Sequence, residues 1–180
     1  MSNSSPSERY STAQRALHWL SLLAITVAYV AIEIRGDMAK THEWRPFVTQ
    51  VHFWAGLSVL AMVIARIYLR WRRPTPAIVP ALSPLAARLA GVTHVLIYAV
   101  LLVQPVLGMF AAAAGGKAII VPLLGIALPA LIGKSDALED RFEEWHETLG
   151  ELFYWVIGLH VAAALWHHFV RRDNTLRRMM

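Results

Sequence analysis

Residues 145–169 read W-H-E-T-L-G-E-L-F-Y-W-V-I-G-L-H-V-A-A-A-L-W-H-H-F. From Leu149 to Val170 this tract is long and apolar enough to cross a bilayer, which takes about 20 residues of helix. It also carries imidazoles, and an ionisable side chain inside a span marks function by default. His146 and His160 lie fourteen residues apart. At 3.6 residues per turn that separation returns to within about 40° of the starting direction and rises about 21 Å. One stripe of the helix therefore presents two imidazoles at two depths, too far apart to share a metal ion.

Working outward, three more runs meet the length requirement: Ala16–Ile34, Val51–Leu69 and Val92–Ala114. A fifth apolar stretch, Ala118–Ile132, is short and is interrupted by Pro122 and Pro129. It reads as an interfacial or re-entrant segment, or as a short helix lying over the bundle. The expected fold is all-α: one membrane-embedded four-helix bundle spanning residues 1–180. The polar first fifteen residues precede an apolar run with no small-residue cleavage site after it, so that run is expected to remain as an anchor.

Composition agrees. Of the 180 residues 57% are hydrophobic and only 16% charged, against roughly 25% charged in a soluble domain. Cysteine is absent while histidine occurs eight times. Disulfides, thiolate nucleophiles, Cys-ligated iron–sulfur clusters and covalent C-x-x-C-H haem attachment are all excluded. A metal here is expected to be held by imidazole.

The net charge of +5 is unevenly spread. The N-terminal tail, the loop around Arg70–Arg88 and the C-terminal tail carry eleven Lys and Arg against two acids, whereas the other two connections carry six against ten. Cytoplasmic loops are enriched in Lys and Arg, so both termini are expected in the cytoplasm. The basic balance then reflects topology, and no nucleic-acid partner is expected. Trp71–Pro76, W-R-R-P-T-P, reads as a helix end followed by an extended connection.

His18 lies near the cytoplasmic start of the first span and His52 near the outer start of the second. The last helix enters from the outer side, so His146 falls at the level of His52. His160 falls nearer that of His18, though deeper than His18 unless the helices tilt. Two pairs of neutral imidazoles at two depths are what two six-coordinate b-type haems require. Gly56, Gly91, Gly108, Gly158 and the Ala162–Ala164 run offer close backbone approach, for a macrocycle or for a neighbouring helix.

Of the other histidines, His42 reads as a solvated loop residue. His168, His167 and His94 gather toward the cytoplasmic ends of helices four and three. There they are either interfacial side chains or groups that hydrogen-bond a quinone and supply its protons, with His168 foremost. Arg35 and Arg15 are the candidates for haem propionates by their interfacial positions. Glu33 reads as reaching the interface, and Arg66 as snorkelling toward the cytoplasm.

L-H-W at Leu17–Trp19, His52, P-T-P at Pro74–Pro76 and W-H-E-T-L at Trp145–Leu149 together resemble bacterial cytochrome b561 over nearly the whole chain. The tract Gly158–Phe169, with D-N-T-L-R-R-M-M from Asp173, is similar to that of the family's superoxide-oxidising members. The resemblance implies two haem b groups held by the pairs His18 with His160 and His52 with His146. It further implies a location in the bacterial inner membrane and ubiquinone as electron acceptor. The implied activity is that of a superoxide oxidase (superoxide:quinone oxidoreductase). Superoxide would be oxidised to O2 at the periplasmic face, and electrons would pass through both haems to the quinone. No obligatory protein partner is implied.

The chain departs from that pattern mainly in the connection Ala111–Glu144, where five acids outnumber three bases. An anionic substrate calls for positive potential, which Arg35, Lys40, Arg45, Lys117, Lys134 and Arg141 are available to provide. Two other readings stay open at this level. One is a generic di-haem cytochrome b carrying electrons between quinol and a partner enzyme. The other is a haem-free membrane transporter or scaffold.

Overall fold

The computed structural model describes residues 9–180, so the first eight residues of the expected domain lie outside the described chain. Four long helices follow one another: α1 Thr12–Asp37, α2 Arg45–Arg72, α3 Pro84–Ala114 and α4 Asp136–Trp166. All four are long and apolar enough to cross a membrane. α1 packs closely on α2 and α3 on α4, and α2 and α3 join the two hairpins.

Local chemistry sets where each helix starts. Ser11 caps α1 by accepting from the Gln14 backbone N–H, while the Gln14 side chain accepts from the Ser11 backbone N–H at 3.2 Å. This reciprocal box satisfies two donors that a helix start leaves bare. Ser83 caps α3 in the same sense, accepting from Ala86 N–H at 3.3 Å, with Pro84 in the first turn. Asp136 and Glu139 occupy the first turn of α4, where negative charge complements the helix dipole.

These starts correct the expected boundaries. α3 begins at Pro84 rather than near 92, and α4 at Asp136 rather than near 149. The acidic stretch read as part of a connection is thus mostly helix. A hydropathy window finds the part of a helix that suits lipid, whereas caps and first-turn charge decide where the helix itself begins.

The fully buried apolar core is small. Val59, Val63, Leu101 and Phe153 form it, with Tyr29, Leu60 and Tyr98 among the side chains packed around it. Large apolar side chains instead point outward: Leu23 is 60% exposed, Val95 68% and Leu159 69%. Lipid, as apolar as the core, is the solvent that makes such a surface stable.

The bundle has two unlike ends. At the distal end, residues 118–128 form a hairpin-like loop closed by an isolated bridge between Ile120 and Ala127. Gln50 donates to Ala118 O at 2.7 Å and accepts from Ile120 N–H at 2.8 Å, and Trp54 Nε1 donates to Ile120 O at 2.6 Å. The segment therefore lies over the end of α2 and forms neither a span nor a helix. Pro122 and Pro129 withhold amide donors, and Leu123 and Gly125 take positive φ.

At the proximal end, α4 gives way to a π-helical turn, His167–Arg171, and the chain reverses at Arg172 with φ 57°. The tail then folds under the bundle. Asn174 accepts from Val79 N–H at 2.9 Å and donates to Ala77 O at 3.2 Å, while Trp19 Nε1 donates to Met179 O at 2.8 Å. Arg178 is buried and donates to Pro76 O. The connection following Trp71–Pro76 is irregular up to Ser83, as its composition indicates.

Candidate functional site

Histidines are among the side chains that bridge the two helical hairpins. At the distal level the rings of His52 (α2) and His146 (α4) have centroids 6.0 Å apart and planes at 87°. His52 Nδ1 lies 2.8 Å from Ala28 O on α1, and His146 Nδ1 lies 2.9 Å from Gln104 O on α3. A carbonyl can only accept, so both Nδ1 atoms carry the proton and both Nε2 lone pairs are free. All four helices thus contribute to this level, two with imidazoles and two with carbonyls.

Gln104 holds His146 twice, because its side-chain amide also donates to His146 O at 2.7 Å. Gly108, one turn further along α3, makes room for the ring: a Cβ there would lie 2.9 Å from His146 Cε1. Beside the pair opens a cleft that reaches solvent, lined by His52, His146, Gly56, Gly108, Arg35 and Lys117 among others. A Cβ on Gly56 would meet nothing within 4 Å.

At the proximal level His18 (α1) and His160 (α4) have ring centroids 6.4 Å apart and planes at 60°. The depth mismatch expected between them does not separate the rings. Ala28, level with His52, is ten residues along α1 from His18, about 15 Å, against about 21 Å between the histidines of α4. His94 (α3) stands against the same group, 5.6 Å from His160, and donates Nδ1–H to Ala90 O at 2.6 Å.

Two imidazoles bound end-on to one metal at about 2.0–2.1 Å each would place their centroids roughly 6 Å apart, which both pairs match. Among the described residues no group of three or more His, Cys, Asp or Glu forms a metal centre. Pairs of this kind suit a metal whose other ligands come from a macrocycle. Unpartnered buried donors fit the same group. Nε of Arg35 at the distal end and Nε of Arg15 at the proximal end are buried without a hydrogen-bond partner, as the carboxylates of a haem would require.

The three remaining span-end histidines do not converge on one point. His167 Nδ1 donates to the fully buried Asp173 at 2.5 Å, and Arg171 lies 3.4 Å from the same carboxylate. Burial alone would raise the pKa of Asp173, but hydrogen bonds from His167 and Thr175 outweigh it and hold the pKa of the carboxyl below its ordinary value. His168 packs on Phe169 and leaves its Nδ1 buried and unpartnered. His94 belongs with His160. His42, in the α1–α2 connection, is exposed.

One intramembrane charge behaves differently from the expectation. Arg66 turns inward and does not snorkel: Nη2 lies 3.2 Å from His18 Nδ1, and the guanidinium sits over the Tyr98 ring at 5.4 Å. Glu33 accepts from Tyr154 OH at 2.9 Å. For Arg66, partners on neighbouring helices replace the pull of the interface, while Glu33 stays exposed near the end of α1. Gln104 went unread in the sequence. Its signal was visible, a lone amide before Pro105 within V-L-L-V-Q-P-V-L (Val100–Leu107).

Residues 9–180 match the family model described as prokaryotic cytochrome b561. A probable superoxide oxidase, CybB, of Yersinia pestis is 37% identical over 173 residues, covering 96% of each chain. Cytochrome b561 homolog 1 of Escherichia coli K12 is 31% identical over 96% of this chain and 97% of its own, and homolog 2 is 26% identical over 100% and 95%. Four membrane-crossing helices, imidazole pairs between them and a match along nearly the whole length agree: the chain belongs to the prokaryotic cytochrome b561 family, bacterial multi-pass membrane proteins that carry electrons on haem b.

Proposed function

We propose that this protein binds two haem b groups and acts as a superoxide:ubiquinone oxidoreductase of the bacterial inner membrane, with both termini in the cytoplasm. The observation that carries the two-haem reading is the pair of imidazole pairs at two levels, His52 with His146 and His18 with His160, at 6.0 and 6.4 Å. Arg35 and Arg15 are assigned to the propionates, on the strength of their unpartnered buried Nε atoms. Haem b, when bound, supplies a one-electron couple. Held between two imidazoles such as His52 and His146 or His18 and His160, the group would be suited to electron transfer rather than O2 activation.

The donor assignment is supported by the relative named a probable superoxide oxidase. In the balanced reaction two superoxide ions lose one electron each to give two O2. One ubiquinone gains two electrons and two protons to give ubiquinol. At the periplasmic face the chain's task is to admit an anion. Lys117 is paired with Glu139 at 2.9 Å, but no carboxylate lies within ion-pair distance of Arg35 or Arg45 among the described residues. With Arg35 assigned to a propionate, the positive charge left to attract the anion is that of Arg45, which donates to Arg35 O and Met38 O at the start of α2.

At the cytoplasmic face the task is to deliver protons. Among His168, His167 and His94, the geometry favours His167. Its Nδ1–H is fixed on Asp173, which leaves Nε2 for a quinone oxygen, and the carboxylate stabilises the imidazolium formed on proton uptake. His168, with Nδ1 unpartnered, is the second contact.

A generic quinol-to-partner carrier is the alternative reading, favoured by the E. coli relatives, which are named only as cytochrome b561 homologs. Membership of a haem b family removes the haem-free transporter or scaffold. Purified holoprotein, given ubiquinone and enzymatically generated superoxide, separates the remaining two. Ubiquinol formation that depends on superoxide supports the oxidase. Reduction indifferent to superoxide establishes the generic carrier.

A further inference from the structure

The two imidazole pairs sit in opposite electrostatic surroundings. Distally, each Nδ1–H points at a main-chain carbonyl, Ala28 O or Gln104 O. Such a bond makes the other ring nitrogen a stronger donor and favours the oxidised, more positive state of a metal bound there. Glu143 and Glu147 line the same cleft, with Lys117 tied to Glu139 and Glu143 and only Arg35 opposing them.

Proximally the signs reverse. No carbonyl accepts from His18; its Nδ1 instead accepts from Arg66 Nη2 at 3.2 Å, because a guanidinium can only donate. Tyr98 holds that guanidinium in place, and among the described residues no carboxylate lies within ion-pair distance of it. A fixed cation in a low-dielectric interior favours whichever state of its neighbour carries less positive charge, here the reduced one.

We propose that Arg66, acting through His18 as a positioning residue, makes the proximal pair the stronger electron acceptor and so gives electron flow from the distal to the proximal level its direction. With haem b held by each pair, the transfer would take one electron from the distal group and give it to the proximal one, and no proton or atom would move. The inference rests on the two-haem reading above. It adds that this direction is built into the protein and would hold for any one-electron donor on the distal side.

Spectroscopic redox titration of the holoprotein tests it. Two one-electron waves are expected, and the wave that survives in His146→Ala, the proximal one, lies at the higher potential. Arg66→Gln shifts that wave down by about tenfold in the reduction equilibrium, which is about 59 mV for one electron. Arg66→Lys, keeping the charge, restores most of the shift. The wave that survives in His160→Ala does not move with either substitution. Where a single-histidine variant fails to fold, the Arg66 substitutions are read in the otherwise unaltered protein as a change in the separation of the two waves.

A proximal wave at or below the distal one, or one indifferent to Arg66→Gln, overturns the inference and leaves the two-haem reading intact. One haem per chain overturns both.

Discussion

The distal and proximal ends hold the same chemical group, two opposed imidazoles, in different ways. At the distal end the rings are fixed by main-chain carbonyls of α1 and α3, with Gly108 cut to the shape of His146. At the proximal end they are surrounded by side chains and by the folded-back tail: Arg66 on His18, His94 beside His160, Arg15 on Met180 O. Backbone acceptors give a ligand position and tautomer that survive most substitutions around it. Side-chain neighbours give one that can be tuned by a single charge, at the cost of depending on more residues. Tolerance of mutation should therefore differ between the ends.

The largest effects test whether the levels are independent. His146→Ala is expected to lower the haem content from two per chain to one, read by pyridine haemochrome, and His160→Ala to do the same at the other level. Loss of neither haem would disprove the ligand assignment. Gly108→Leu comes next. Even a Cβ there would lie 2.9 Å from the His146 ring, and overpacking of this kind typically costs about 1–3 kcal/mol. Distal haem retention on dilution should fall at least several-fold. Gly56→Ala, where a Cβ meets nothing within 4 Å, serves as the control on the same cleft: it leaves the apo fold intact.

Asp173→Asn probes the proximal end through the tail. Hydrogen bonds to a charged group contribute about 1.5–3 kcal/mol, and Asp173 accepts from His167 at 2.5 Å and Thr175 N–H at 2.9 Å. A lower melting temperature, earlier proteolysis after residue 171 and slower ubiquinone reduction are expected, with both haems retained. The pH dependence has a definite sign. Because the folded carboxyl titrates below its ordinary value of 3.8, its hold on the tail is complete above that value and is lost as the pH falls further. Protease accessibility of the tail should rise only in that acid window, and Asp173→Asn should abolish the rise.

The smallest effect expected is at the distal loop. Gln50→Ala removes two bonds to residues 118–120, each worth about 1 kcal/mol. Faster amide exchange over 118–128, with unaltered haem spectra, would confine that loop to covering the distal end.

Most of the architecture was legible because a bilayer imposes simple demands. A span must be long and apolar, and an imidazole inside it must have a reason. Hence four spans, the stripe joining His146 to His160, and the candidates at His18 and His52 could be read from spacing alone. Helix starts were read late, since Ser83 and Asp136 answer to capping and dipole rather than to lipid. The role of Arg66 was misread for a related reason. A lone arginine in a span can reach the interface or a partner, and only the neighbouring helices decide which.

By itself, the order of residues determined how many helices cross the membrane, which end each histidine occupies and that no thiol chemistry is available, because these follow from periodicity, length and composition. The tertiary structure alone decided which carbonyl fixes each distal ring, where Arg66 points, and that Asp173 stands behind His167. Those are contacts between side chains and backbones on different helices or across a chain reversal, and they depend on helix inclination and on distances near 3 Å that no one-dimensional spacing encodes.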